Sequence, residues 1–443
     1  MHSAADTIFA LSSGPPPAAI AVIRVSGPQA GPALSALAGR LPQPRMGALA
    51  TLRDPADRSA LDQALVLWFP GPASETGEDV AELQIHGGRA VIAATLRVLG
   101  ALPGLRLAEP GEFTRRALAN GQIGLTAVEG LADLIGAETE AQRRQAVRQL
   151  RGALGKRAEG WRQQLIAVQA RIEADLDFSD EGDVPAGLLD EVRAGVKALQ
   201  ADIQAALDDG GRGERLREGL TIAIAGPPNA GKSSLFNWLA GRDVAIVSPY
   251  PGTTRDVLEV HLDLGGYPVT VLDTAGVRES DDPVEREGIA RAVARAADAD
   301  LVLWVEDAAS TSPVAPEAGG APVWRLRNKM DLLAEPVRPE INESQTDISV
   351  RTGEGLAALV SRLATYAEAR MGGGEGALIT RERHRQNMKQ CSDVLIHIIE
   401  NDLPEDLVAE DLRVAATALG RLVGRIDVEN VLDALFSGFC IGK

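Results

Sequence analysis

The chain has little cysteine, few aromatics, no long apolar run and no surplus of positive charge. Its only cysteines among 443 residues are Cys391 and Cys440, which give neither a disulfide framework nor a zinc-ligand spacing. No apolar stretch of about 18 or more residues is present, and no secretory or targeting tract is visible. The expectation is therefore a cytoplasmic protein without a membrane segment. Lys plus Arg number 45 against 62 Asp plus Glu, a formal charge of −17. That balance opposes a general electrostatic grip on nucleic acid. Any such contact must be local or supplied by a partner. Basic residues do cluster from Arg143 to Arg157 and from Arg381 to Arg385. Both clusters are interleaved with helix formers and carry no aromatic stacking platform, as a solvated helix face would.

What is present begins with Gly226-Pro-Pro-Asn-Ala-Gly-Lys-Ser233. It follows a short β-branched run, Leu220–Ala225, and precedes a helix-like run ending at Gly241, the context a phosphate loop requires. Small residues let backbone N–H groups turn onto phosphates. Asn229, Ala230, Gly231 and Ser234 belong to that cradle, Lys232 is placed to reach the β and γ phosphates, and Ser233 to ligate Mg²⁺. Val269 to Gly276 reads as a strand ending at Asp273, which is placed for the Mg²⁺ shell; Thr274, Ala275 and Gly276 follow, with the Gly276 amide facing the γ-phosphate.

Leu301–Val305 is a further buried strand, and Trp324 to Asp331 runs from strand into Asn328-Lys329-Met-Asp331. A carboxylate at Asp331 accepts from both N1–H and the 2-amino group of guanine, whereas adenine has no donor at N1. Ser349, Val350 and Arg351 close over the base, with Val350 where alanine is usual. Between these motifs, Ser248 to Asp256 is a Pro/Gly-rich switch loop in which Thr254 completes the Mg²⁺ shell opposite Ser233. Val277 stands where Ras-like GTPases keep a water-orienting glutamine. An aliphatic side chain cannot do that work, and Glu285 is the acidic candidate nearby.

Length permits two or three domains. Residues 1–120 alternate strand-like runs (Ile20–Val25, Gln63–Phe69, Val80–Ile85) with a helical run from Gly88 to Leu99, an α+β unit. Residues 121–215 are helical, with breaks near 178–185 and 208–213. An α/β nucleotide domain spans 216–370, Met371 to Gly376 is a flexible linker, and a helical segment runs from 377 to 443. The economical arrangement is one all-α domain interrupted by the nucleotide domain.

Beyond the GTPase motifs, the chain carries Gly77-Glu-Asp-Val80, Leu83-Gln-Ile-His-Gly-Gly88, Pro110-Gly-Glu-Phe-Thr114, Ala132-Asp-Leu-Ile135 and a terminal Phe439-Cys-Ile-Gly-Lys443. Over nearly its whole length it resembles the MnmE/TrmE family of tRNA-modification GTPases. The resemblance implies an N-terminal domain that dimerises and binds 5-formyltetrahydrofolate or a related reduced folate. Arg24, Glu82, Gln122 and Lys443 fall on the folate-binding positions. Gln122 departs from the family's usual lysine. It further implies a K⁺ ion seated by Asn229 and by the loop containing Ser248, Tyr250 and Thr253, with Glu285 as the catalytic glutamate. Cys440 lies in what resembles the family's functional tail near the folate site, and a small apolar filler is the equal alternative for a lone thiol near a terminus. The partner implied is the flavoprotein MnmG, and the reaction a one-carbon and amine addition at C5 of the wobble uridine (U34) of certain tRNAs. A GTP-operated binding switch, such as a ribosome-assembly factor, is the competing class. It would be marked by an appended RNA-binding domain, which the sequence does not display.

Overall fold

The computed structural model describes residues 6–177, 188–242, 244–246, 259–273, 299–309, 321–333, 345–426, 429–439 and 441–442. Contacts divide the chain into two compact units. The first comprises the segment up to Ala132 with Gly155–Gln163 and Leu419–Lys443, the second Asp133–Leu154 with Gln164–Ala418.

In the first unit, alternating sequence makes a six-stranded sheet. Its strands are β1 (Thr7–Leu11), β2 (Ala18–Ser26), β3 (Ala48–Arg53), β4 (Ala60–Phe69), β5 (Val80–Gly87) and β6 (Leu105–Leu107), ordered β3-β4-β5-β2-β1-β6. The pairings are antiparallel except for β1 with β6. One face is buried: Ile23, Val25, Val66, Trp68, Leu83 and Ile85 pack with Leu34 and Leu37 of helix Ala30–Ala38 and Val98 and Leu99 of helix Arg89–Gly100. On β3 and β4, Leu49 and Leu65 stand directly opposite one another. They are 72% and 40% exposed, and Ile20 on β2 is 60% exposed.

The C-terminal tail also belongs to this unit. Phe436 and Phe439 pack with Val128, Ile441 bridges Pro110, and a Cβ on Gly442 would collide with the Leu11 carbonyl.

The second unit contains a doubly wound sheet. Its strands are β7 (Leu220–Ala225), β8 (Glu259–Leu264), β9 (Tyr267–Asp273), β10 (Leu301–Asp307), β11 (Val323–Asn328) and β12 (Gln345–Asp347), ordered β12-β11-β10-β7-β9-β8. All pairings are parallel except β8 with β9. The central strand β7, Leu-Thr-Ile-Ala-Ile-Ala, is apolar almost throughout, as a strand covered on both faces must be. Ile222 and Ile224 pack with Leu235 and Leu239 of helix Lys232–Ala240 and with Leu359 and Leu363 of helix Leu356–Met371. Each such buried aliphatic side chain contributes about 1.5–3 kcal/mol. Strand order reverses at β7 and β10, so the crevice at their carboxyl ends is where a doubly wound fold places ligands.

Helices of the segments before and after the nucleotide motifs also pack in this unit, Leu188–Leu207 against Glu382–Glu400. Arg385 donates to Asp209 at 2.7 Å and to Glu214 at 2.9 Å. Cys391, buried in helix Glu382–Glu400, has its thiol pushed up to about 12 by burial, which makes it an inert space-filler. The Gly-rich stretch after Met371 differs from the flexible linker the composition suggests. Gly374–Gly376 forms a short 3₁₀ turn with Gly374 buried, and Gln145 Nε2 donates to the Gly374 carbonyl at 2.9 Å. A Cβ at Gly374 would stand 2.7 Å from the Arg212 carbonyl oxygen, so glycine is needed there for close approach.

Candidate functional site

The phosphate loop occupies the turn from β7 into helix Lys232–Ala240. Gly226 and Gly231 have φ of 139° and 99°, conformations suited to glycine. Asn229 has φ 62°, which asparagine tolerates better than most residues. A Cβ at Gly231 would run into Asn328 Nδ2, so the backbone at Gly231 leaves no room for a side chain. The Lys232 ammonium crosses the loop and donates to the carbonyls of Gly226 and Pro227 at 2.9 and 2.8 Å. Ala230 is buried, while Asn229, Ser233 and Ser234 are exposed to solvent. Ser233 Oγ donates to Asp273 Oδ2 at 3.0 Å, joining the helix start to the end of β9. Two hard oxygens so placed fit Mg²⁺, which takes carboxylate and hydroxyl oxygens.

The residues expected to read the base lie at the ends of β11 and β12 and in the turns that follow. Buried Asn328 donates from Nδ2 to the Ala230 carbonyl at 2.9 Å and accepts from the Val350 amide at 3.1 Å. One side chain thereby ties the phosphate loop to the loop of Ser349–Arg351. Asp331 accepts from Ser349 Oγ at 2.5 Å and from Arg351 Nε at 2.7 Å. The Ser349 hydrogen bond, helped by Arg351 against the effect of burial, holds its carboxyl below the usual range. Lys329 pairs with Asp307 at the end of β10, 2.8 Å away. This pairing, like that of Arg327 with Asp347, was not identifiable from motif spacing because it depends on strand order and register.

In the first unit Arg24 and Glu82 are cross-strand partners on β2 and β5, with Arg24 Nε and Nη2 donating to Glu82 Oε1 at 3.1 and 3.0 Å. Glu75 takes the other side of Arg24, 2.5 Å from Nη1, and the guanidinium lies over the Phe113 ring. Gln122 is exposed and packs against Gly77, two residues beyond Glu75. The loop from Gly71 to Asp79 thus gathers these groups. It is anchored by Glu78, which accepts from Ser26 at 2.8 Å and from Arg116 at 3.2 Å. Beneath it, Glu112 pairs with Arg106 and Arg116. Arg24 and Glu82 offer the cation and acceptor that an anionic, amino-substituted ligand needs. Ser248, Tyr250, Thr253, Thr254, Thr274, Ala275, Gly276, Glu285, Cys440 and Lys443 lie outside the described residues.

Among the described residues, no cluster of three or more metal-ligating side chains occurs, and no helix is long and apolar enough to cross a membrane. A family model described as the MnmE helical domain matches residues 125–440, and one described as the GTP-binding protein TrmE N-terminus matches residues 7–122. A tRNA modification GTPase MnmE of Bradyrhizobium sp. (strain ORS 278) is 56% identical over 447 residues, covering 100% of both chains. That of Rhodopseudomonas palustris (strain BisB5) is 54% identical over 463 residues, again with 100% coverage of both. Among solved structures, the FeoB G-domain from Methanococcus jannaschii is 26% identical, covering 34% of this chain and 98% of its own, at a TM-score of 0.23. With both family models matched and 56% identity to a relative over the full length of both chains, this chain belongs to the MnmE/TrmE family of tRNA modification GTPases.

Proposed function

We propose that this chain hydrolyses GTP in the service of tRNA modification, and that with MnmG it installs an aminomethyl or carboxymethylaminomethyl group at C5 of the wobble uridine (U34) of certain tRNAs. The observation that carries the GTPase reading is the join made by Asn328, which links the phosphate loop to the loop bracing Asp331. In this reading Asp331 accepts from guanine N1–H and the 2-amino group. The amides of Asn229 to Ser234 and the Lys232 ammonium hold the phosphates. Ser233, Asp273 and Thr254 serve the Mg²⁺ shell. That ion, when bound, neutralises charge on the β and γ phosphates.

Glu285 is assigned to the attacking water, and Asn229 with Ser248, Tyr250 and Thr253 to a K⁺ ion; the family resemblance supports these roles. The same resemblance assigns Arg24, Glu82, Gln122 and Lys443 to a reduced folate. The Arg24–Glu82 pair and the return of the tail, as far as Gly442, to Leu11 favour that assignment. A homodimer through the first unit is supported by the exposed apolar residues Ile20, Leu49 and Leu65, since exposed apolar patches commonly mark interaction sites. Cys440 is a candidate participant in the chemistry, and a cytoplasmic location fits the proposed reaction.

Reconstitution tests the whole reading. The full chain with MnmG, GTP, K⁺, FAD, NADH, reduced folate, an amine donor and tRNA is expected to yield a 5-substituted wobble uridine by nucleoside mass spectrometry. Omitting GTP, replacing K⁺ by Na⁺ at equal ionic strength, or Glu285→Ala is expected to reduce the product greatly. Unmodified uridine in the complete mixture, with GTP-dependent association with ribosomal particles instead, would favour the binding-switch class.

A further inference from the structure

We infer that the Arg327–Asp347 ion pair is a positioning element for guanine selectivity, fixing the two base-reading loops relative to one another. The inference rests on the guanine-site reading above. Arg327 precedes Asn328 on β11, and Asp347 ends β12 two residues before Ser349; the two are register partners on adjacent parallel strands. Arg327 Nε lies 2.7 Å from Asp347 Oδ1 and Nη2 lies 2.5 Å from Oδ2. This planar two-point fork fixes orientation as well as distance. The Asp347 side chain is fully buried, and Gln345 Nε2 also donates to its Oδ1, at 3.2 Å.

The strand that needs fixing is short. β12 has three residues and, among the described residues, pairs with β11 alone, so few ladder hydrogen bonds hold it. Yet the loop bracing Asp331 continues from it. The Ile348 amide donates to the Arg327 carbonyl at 2.8 Å and the Met330 amide to the Ile348 carbonyl at 3.3 Å. Val350 then reaches Asn328, and Ser349 reaches Asp331. Among the described residues, the contacts that aim the Asp331 carboxylate, from Ser349 and Arg351, are made within four residues of the fork.

β11 is braced on its other flank by Arg325, which pairs with buried Glu306 of β10 at 2.8 Å. An apolar pair could fill the Arg327 and Asp347 positions with equal or better stability, because buried ion pairs stabilise poorly relative to packed apolar groups. A bidentate pair there provides what an apolar pair cannot, a defined register and rotation at the root of both loops.

ITP distinguishes positioning from simple support. Inosine lacks the 2-amino group, so discrimination between GTP and ITP measures how well Asp331 is aimed at both guanine donors. Steady-state hydrolysis by the full chain, with GTP and ITP compared, is expected to show a strong GTP preference in the wild type. In Asp347→Asn the KM for GTP should rise by more than kcat falls, and the GTP-to-ITP ratio of kcat/KM should drop about tenfold. Arg327→Lys keeps the charge but loses the fork and should fall between the two; it carries the test if Asp347→Asn fails to fold. An unchanged ratio in the folded variants, with both nucleotides weakened alike and a lower Tm, would overturn the inference. A wild type that does not prefer GTP to ITP or ATP would instead remove the guanine-site reading, and the inference with it.

Discussion

In the proposed guanine-site reading, Asp331 would carry the base choice only while ionised, and its neighbours favour that state. The Ser349 hydroxyl lowers its carboxyl most, burial opposes, and the exposed Arg351 guanidinium adds a second lowering contact. Because the folded carboxyl titrates below its ordinary value of 3.8, guanine binding is expected to persist until pH falls through that lowered value. Arg351→Ala removes one lowering contact and should move the acid limb of GTP affinity upward, leaving affinity near neutral pH less affected. Fluorescent-nucleotide titrations between about pH 3 and 7 check this; identical acid limbs would show that Arg351 does not tune the carboxylate. At this scale the sequence was legible where chemistry dictates residue type at fixed spacing, as for Lys232, Ser233, Asp273, Asn328 and Asp331. It was not legible for Glu75 on Arg24 or Asp307 on Lys329, because a partner brought by a loop or a neighbouring strand leaves no spacing signature.

The elements add a pH-sensitive contact at the sheet edge. His261 on β8 faces Glu138, which lies just before helix Glu140–Leu150, with Nδ1 3.2 Å from its carboxylate; Glu259 on the same strand stands 3.7 Å from Nε2. The Glu138 hydrogen bond, then Glu259, raise the imidazole to about 9 against the opposing effect of burial. A raised folded pKa means that the stabilisation is fully present below the unfolded value of 6.5 and is lost as pH rises through about 9. With His261 37% exposed, screening should hold the contribution to about 1 kcal/mol. Denaturant midpoints should therefore show wild type ahead of His261→Asn at pH 6 and level with it at pH 10. An equal gap at both pH values would mean that packing, rather than charge, carries the contact.

Elements were legible where one face is buried: β2, β4 and β5 follow their alternation, and β7 its continuous apolar run. The turn at Gly374 was not, because composition alone cannot separate a glycine chosen for looseness from one chosen for close approach.

Across the whole molecule, several arginines of the basic clusters are answered by acids of the same fold. Arg143 and Arg144 both donate to Glu140, at 2.7 and 2.8 Å, Arg381 meets Asp133 at 2.5 Å, and Arg385 meets Asp209 and Glu214. Added to a net charge of −17, this local neutralisation reduces the positive charge that these clusters can offer a phosphate backbone. The chain alone should bind tRNA weakly, with a basic partner supplying most of the grip.

Glu140 offers a direct test, because it occupies two arginines at once on the exposed face of its helix. Glu140→Gln would release Arg143 and leave Arg144 only its 3.5 Å contact with Glu375, and the helix should survive the change, since Thr139 and Gln142 form its capping box without Glu140. If this face lies along the tRNA, the variant should bind tRNA more tightly at about 50 mM salt, and its log-affinity slope against log salt should steepen by up to about two counterions. Filter binding or fluorescence anisotropy across about 50–200 mM salt reads both quantities. If affinity and slope remain those of the wild type while circular dichroism shows the helix intact, the tRNA does not follow this helix, and the phosphate contacts fall to another face of the chain or to the proposed partner.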